Sequence, residues 1–250
     1  MGYPTPETVY DRICWSADVR DVATLRGTLE QMPDLEWVKI DQLFTKRDGF
    51  EVVKALSDDG YSVFSDEKIT EIPSKLEAIA QVLVRYQPAM LNCMAGCVSS
   101  GKVSSANAEL VDGLKRFADV CHGANVLPCG VTVLTSKKPS AIGHEFNGRD
   151  SIEQVLYYVD MLDACGFTDI VCSTDELEAV MAEFPHLHAN VPGIRPTGTS
   201  TDDQARVATP SGALLAGAER LVIGRPLTNG NPSANLQGIV DEILNPERLS

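Results

Sequence analysis

Short apolar runs rich in β-formers alternate along the whole chain with stretches of helical period. The runs at 13–17, 37–40, 61–65, 89–93, 127–134, 169–173, 187–191 and 221–224 read as strands. Several are nearly continuous in apolar residues, the pattern of strands covered on both faces. Between them, 23–31, 49–57, 74–86, 105–121, 152–165, 176–184, 211–216 and 236–244 carry helical period or helix-start chemistry. Asp175 and the pair Thr209-Pro210 are helix openers, the latter with Pro at the first helical position. Gly60, Gly123, Gly166 and Gly217 fall where helices should stop. About eight strand–helix units imply a parallel sheet rather than a sandwich or a bundle. No change of composition and no Pro/Ser linker divides the chain, so the pattern predicts an α/β protein with one (β/α)8 TIM-barrel domain over residues 1–250. In such a barrel the loops after the strands open at one end, where active sites lie. The two longest irregular pieces, 135–150 and 192–209, both follow strands.

One break in the apolar pattern carries chemistry. The third run leads into Ser65-Asp66-Glu67-Lys68-Ile69-Thr70-Glu71-Ile72-Pro73, where a buried strand should open into a loop. Strand alternation points Asp66 and Lys68 the same way, with Glu71 already in the turn to the next helix. Taken alone, D-x-K-x-x-E is more simply a solvated turn with a surface ion pair of little energetic worth. Its place after the third strand of a barrel makes it an active-site feature instead.

A second feature sits at the end of the chain. Pro192-Gly193-Ile194-Arg195-Pro196-Thr197-Gly198 follows the seventh strand, and Val222-Ile223-Gly224-Arg225-Pro226-Leu227 ends the eighth. Gly lets backbone approach a ligand closely, and an adjacent Arg offers a planar fork of donors matched to phosphate oxygens. Loops seven and eight form the usual phosphate site of this barrel. Gln204 is placed to close over the same group from a connecting loop rich in Thr, Gly and Ser, as expected of a lid.

Composition narrows the function class. The chain is 44% hydrophobic and 22% charged, and no apolar run approaches the roughly 20 residues of a membrane span. A net charge of −14 argues against a nucleic-acid surface, so an anionic ligand must be gripped locally. The N-terminal residues lack a basic region followed by an apolar one, which leaves a cytoplasmic protein as the expectation. Seven cysteines without a C-x-x-C pair read as buried thiols of a reducing compartment. His186 and His188 form an H-x-H without an evident third ligand, and no metal site and no cofactor motif is expected.

These motifs together resemble the orotidine 5′-monophosphate decarboxylase family. The succession V-P-G-I-R-P-x-G, D-Q, T-P, A-G-A and V-I-G-R-P-L-T, from Pro192 to Thr228, is the most specific part. Thr132-Val133-Leu134-Thr135-Ser136 and Val171-Cys172-Ser173 resemble the bacterial members. In that family the third strand ends in D-x-K-x-x-D followed by Ile-Pro, matched here by Asp66, Lys68, Glu71 and Ile72-Pro73. The resemblance implies cofactor-independent decarboxylation of orotidine 5′-monophosphate to uridine 5′-monophosphate in pyrimidine biosynthesis. Lys68 would be the proton donor, Asp66 would lie against the substrate carboxylate, and Lys39 would bridge ribose and the acidic cluster. Glu71 would reach into the site of a second subunit, making the enzyme a homodimer with shared sites. Asp18 would contact a ribose hydroxyl, Thr135 and Ser136 the pyrimidine, Pro192 would be a substrate-binding residue, and Arg195, Gln204, Gly224 and Arg225 would hold the 5′-phosphate.

Three positions depart from the family pattern: Glu71 replaces Asp, Lys75 replaces Thr, and Met94 stands where many bacterial members have His. Two other readings accompany this one. A sibling barrel acting on a sugar-phosphate keto acid would need an acidic metal ligand after the second strand, where this chain has Lys39, with Asp41 the only nearby substitute. A non-catalytic nucleotide-monophosphate-binding protein would keep the phosphate grip without the charge network.

Overall fold

Strands β1 (Ile13–Ser16), β2 (Trp37–Asp41), β3 (Ser62–Ile69), β4 (Met90–Met94), β5 (Leu127–Val131), β6 (Asp169–Val171), β7 (His188–Pro192) and β8 (Arg220–Ile223) pair in sequence order, all parallel. β8 pairs back to β1, so the sheet closes into a barrel. The computed structural model describes residues 4–5, 7–96, 108–197 and 207–246. Helix α1 (Val22–Leu29) follows β1, α2 (Gln42–Asp48) and α3 (Glu51–Asp58) follow β2, and α4 (Pro73–Leu83) follows β3. α5 (Ala108–Gly123) follows β4, α6 (Pro139–Glu145) and α7 (Ser151–Ala164) follow β5, and α8 (Thr174–Glu183) follows β6. α9 (Pro210–Leu215) follows β7, and α10 (Arg225–Thr228) and α11 (Pro232–Leu244) follow β8. No helix among the described residues is long and apolar enough to cross a membrane.

The period-two alternation of the strands divides the core in two. Outward residues such as Trp15, Val38, Val63, Leu91 and Ile170 join the helices in one large buried cluster. Inward residues Cys14, Trp37, Phe64, Met90, Cys129 and Val222 form a second cluster that fills the barrel. This is the packed interior expected of an eight-stranded barrel, and it leaves room for a ligand only at the mouth.

Several elements depart from the sequence reading for local reasons. β3 runs on through Ile69, so Asp66 and Lys68 belong to the strand and not to the loop after it. α2 and α6 are only 7 residues each and α10 is 4, too short for their apolar period to stand out. α8 opens on Ser173, whose side chain is joined to Glu176 in a capping box, so Asp175 lies inside the first turn rather than at its cap. Thr209 does cap α9, accepting from Gly212 N–H, with Pro210 next. At the end of α5 the left-handed residue is Asn125 (φ 58°), whereas Gly123 stays helical.

The lower end of the barrel holds an ion pair that the sequence pattern does not announce. Asp169 is fully buried at the start of β6; its Oδ1 accepts from Arg220 Nη1 at 3.0 Å and from Asn190 Nδ2 at 3.0 Å. Thr168 Oγ1 donates to its other oxygen at 3.0 Å, and the Arg220 guanidinium lies 4.1 Å from the Trp37 ring centre. His188 packs beside this group, while His186 turns away to bond Asp163 at 2.7 Å, so the H-x-H histidines serve separate partners. Leaving one member of a buried pair without the other costs about 3–5 kcal/mol. Asp169→Ala should therefore lower stability in urea denaturation by about that amount, and a loss below about 1 kcal/mol would show that the pair is not what seals this end.

Candidate active site

The charged stretch of β3 owes its geometry to a change of register. Ser65 pairs with Leu91 and Ile69 with Cys93, so four steps along β3 match two along β4. The surplus is absorbed as an irregularity of the bulge kind, which bends the strand and re-aims its side chains. Lys68 takes up the strain with φ 45°, a left-handed conformation rarely held by a long side chain. Glu67 points outward beneath α2, accepting from Thr45 Oγ1 at 3.1 Å and Ser65 Oγ at 3.3 Å. Asp66 and Lys68 point into the barrel mouth, with Lys68 Nζ 2.6 Å from Asp66 Oδ1. Lys39 Nζ from β2 is 2.7 Å from Asp66 Oδ2. Asn92 of β4, fully buried, donates to Asp66 Oδ1 at 2.7 Å and accepts from Lys68 N–H at 2.7 Å.

Burial alone would raise the Asp66 pKa, but the ammoniums of Lys39 and Lys68 outweigh it and hold the carboxyl well below the usual range. For Lys39 burial works against the charge, yet Asp66, helped by Asp18 and Asp41, carries its pKa above the ordinary lysine value. The side chains of Asp66 and Lys39 are 7% and 11% exposed, and that of Lys68 is 35% exposed. Lys68 is thus the member of the chain with an open side.

A cavity of about 250 Å³ opens over that side. Ser16, Asp18, Lys39, Asp66 and Lys68 form its charged wall, and Phe64, Val131, Val133, Val171 and Val222 its apolar floor. Leu134 and Thr135 stand on one rim, and Pro192, Gly193, Arg195, Gly224 and Arg225 on another. Gly193 has φ 81°, which only glycine adopts cheaply, and it turns the chain directly after β7. Beyond it Arg195 N–H bonds Ala208 O at 2.8 Å, tying the two ends of the loop that contains Gln204. Arg195 is buried at 8% exposure with Nη1 on Ile194 O, and Arg225 is exposed at the first residue of α10.

The cavity therefore gathers Asp18, Lys39, Asp66, Lys68, Thr135, Pro192, Arg195, Gly224 and Arg225 from the predicted set. Glu71 does not line it; the Glu71 carboxylate accepts only from Ile72 N–H, 3.3 Å away, among the described residues. Ser136 is exposed outside the cavity, and Gln204 lies outside the described residues. Lys75 is exposed near the start of α4, and Met94 is half-buried. Ser16 and Asn92 were not singled out from the sequence. The available signals were the same-side spacing of Ser16 and Asp18, and a lone amide in the otherwise apolar run at 89–93.

Similarity to known proteins agrees with this geometry. Residues 11–239 match the model of the orotidine 5′-phosphate decarboxylase / HUMPS family. The orotidine 5′-phosphate decarboxylase of Parasynechococcus marenigrum strain WH8102 is 34% identical over 217 residues, 86% of each chain. That of Pseudomonas putida strain KT2440 is 34% identical over 214 residues, 84% of this chain and 87% of its own. The crystal structure of orotidine 5′-phosphate decarboxylase from Lactobacillus acidophilus superposes with a TM-score of 0.76 at 24% identity, covering 92% of this chain and 98% of that one. By the extent of the family match and by its relatives, the chain belongs to the orotidine 5′-phosphate decarboxylase / HUMPS family.

Proposed function

We propose that this protein decarboxylates orotidine 5′-monophosphate to uridine 5′-monophosphate and CO2 without a cofactor, as a step of pyrimidine biosynthesis. The observation that carries this reading is the Lys39–Asp66–Lys68 chain facing a cavity whose far rim bears Arg195 and Arg225. Breaking the bond between C6 and the carboxylate leaves an electron pair in the plane of the pyrimidine, where the ring π-system cannot take it up. Stabilisation must come from charge held in place beforehand. Lys68 supplies it: its ammonium faces the developing carbanion, gives its proton to C6 as CO2 departs, and regains a proton from solvent. Asp66 opposes the substrate carboxylate by like charge and at the same time keeps Lys68 and Lys39 aligned.

The remaining residues bind and orient. Asp18 and Lys39 take the ribose hydroxyls and Thr135, with Ser136 beside it, faces the pyrimidine. Pro192 lines the substrate cavity, and Arg195, Gln204, Gly224 and Arg225 hold the phosphate. Binding energy gathered at the phosphate can then organise the charged wall and contribute to rate. Glu71 lies off the cavity in its own chain, and Ile72 beside it and Leu43 at the start of α2 are 53% and 72% exposed. This supports a homodimer in which Glu71 serves the partner's site, and we read the protein as a cytoplasmic one with a single domain over residues 1–250. Against the sugar-phosphate alternative, Lys39 is committed to Asp66, and Asp41 caps α2 by accepting from Leu43 N–H and Phe44 N–H at 3.0 Å.

Purified protein given orotidine 5′-monophosphate should release CO2 at the same rate with and without a chelator. Loss of turnover with the chelator would favour the sugar-phosphate reading, and tight uridine monophosphate binding without CO2 release would favour the binding protein. Lys68→Ala should lower kcat by more than about 10³-fold while nucleotide binding persists, since proton donation and charge stabilisation are lost together; retained turnover would remove Lys68 from its role. Arg225→Ala should act mainly on affinity, weakening uridine monophosphate by roughly 10- to 100-fold, the worth of a charged hydrogen bond. Equal affinity in titration calorimetry would place the phosphate elsewhere. Glu71→Asp should keep or raise kcat if this acid works across the dimer, and a sharp fall would show that the longer side chain is required.

A further inference from the structure

We propose that Asn92 is a positioning residue that sets the geometry of the Asp66–Lys68 pair from outside the cavity. This rests on the decarboxylase reading for its kinetic consequence, but its structural basis is independent. In a regular parallel ladder every strand N–H finds a carbonyl on its neighbour. The register shift between β3 and β4 breaks that ladder between Ser65 and Ile69. The Lys68 N–H falls inside the gap, and the Asn92 side chain fills it, with Oδ1 at 2.7 Å. The same amide turns its Nδ2 to Asp66 Oδ1 at 2.7 Å, on the oxygen that also receives Lys68 Nζ. One planar group therefore clamps the backbone of the proton donor and the carboxylate that aligns it.

The orientation of the amide follows from its partners. A backbone N–H can meet only an acceptor and an ionised carboxylate only a donor, so the flipped amide would lose both bonds. The clamp also holds a conformation Lys68 would not keep unaided. Its φ of 45° is uncommon for any non-glycine residue, and such strain persists where the surroundings over-determine it. Asn92 is 0% exposed and absent from the cavity lining, so it acts through Asp66 and Lys68 rather than on substrate. The titratable groups around it are Asp66 and Lys68 of β3, Lys39 on the far side of Asp66, and the Cys129 thiol in register on β5, which burial keeps protonated.

Two variants of the full chain separate the two bonds. Asn92→Ala removes both, and kcat should fall by about 10- to 100-fold with KM and uridine monophosphate affinity within about twofold, as expected when orientation rather than binding is lost. Asn92→Asp keeps an acceptor for Lys68 N–H but sets a carboxylate against Asp66. When ionised it repels Asp66, and when protonated its O–H restores the donor. Its kcat should therefore rise as pH falls, a limb that wild type and Asn92→Ala lack. Hydrogen exchange at the Lys68 amide gives a readout free of catalysis: protection should drop at least about tenfold in Asn92→Ala and survive in Asn92→Asp. Unchanged kcat in Asn92→Ala, or an Asn92→Asp pH profile of wild-type shape, would overturn the positioning role. If Asn92→Ala does not fold, the Asn92→Asp profile decides. If wild type releases no CO2, the decarboxylase reading falls on its own, and the exchange pattern still decides for or against the clamp.

Discussion

Everything at the mouth of this barrel depends on one buried carboxylate. Asp66 is 5% exposed, and a charge so placed survives only when paired and hydrogen-bonded. It accepts from Lys39 on one oxygen and from Lys68 and Asn92 on the other, so contributions from β2, β3 and β4 converge on two atoms. The pairing sign matters as much as the number. With two ammoniums around one carboxylate, the trio keeps one unit of positive charge, which Asp18 on the same wall balances. Removal of Asp66 would set Lys39 and Lys68 against each other across the same gap.

The two ends of the barrel show what distinguishes a site from a structural ion pair. At the lower end Arg220, Asn190 and Thr168 all donate to Asp169, with Trp37 against the guanidinium, behind an exposure of 0% for the carboxylate. At the upper end the bonding is equally dense around Asp66, but Lys68 keeps one third of its side chain open to the cavity, 35% against 11% for Lys39. Partners on one side and room on the other are the conditions for a group that must both be oriented and react. The bulge in β3 accompanies this asymmetry: it sets Lys68 at left-handed φ, and the Lys68 N–H bonds the Asn92 side chain within the broken stretch of the ladder.

How much of this was legible depended on whether the information was local. The eight apolar runs predicted the strands because a parallel barrel buries both faces of each, and the helices were legible from their 3.6-residue period or, as in the 6-residue α9, from the Thr209-Pro210 opener. Asp66, Lys68, Arg195 and Arg225 stood out as charges at the ends of apolar runs. The extension of β3 to Ile69 did not, because a stretch with three charges in four residues reads as a loop unless the barrel mouth is known to solvate it. Asn92 and the Asp169–Arg220 pair were hidden for a different reason: each is one polar residue in an apolar strand, and its partner is set by barrel register rather than by sequence distance. Glu71 was legible as an acid in the turn, but its place off the cavity, with its carboxylate on Ile72 N–H, depends on how the turn folds and not on its spacing from Lys68.

The overall charge of −14 makes the local electrostatics more demanding. Salt screens most of that charge from an approaching anion beyond a Debye length of about 8 Å, so the charges nearest the ligand decide. There the mouth is arranged with Lys39 and Lys68 on one wall and Arg195 and Arg225 on the opposite rim, some 130 to 190 residues apart in sequence but on one cavity. The two kinds of cation suit two tasks. Guanidinium presents a planar fork and stays charged, which fits a group that must be held, whereas an ammonium is a compact point charge that can surrender a proton. Arginines at the rim and lysines at the wall thus place the two kinds of cation on separate parts of one cavity, and the apolar floor of Phe64, Val131, Val171 and Val222 lowers the dielectric around both.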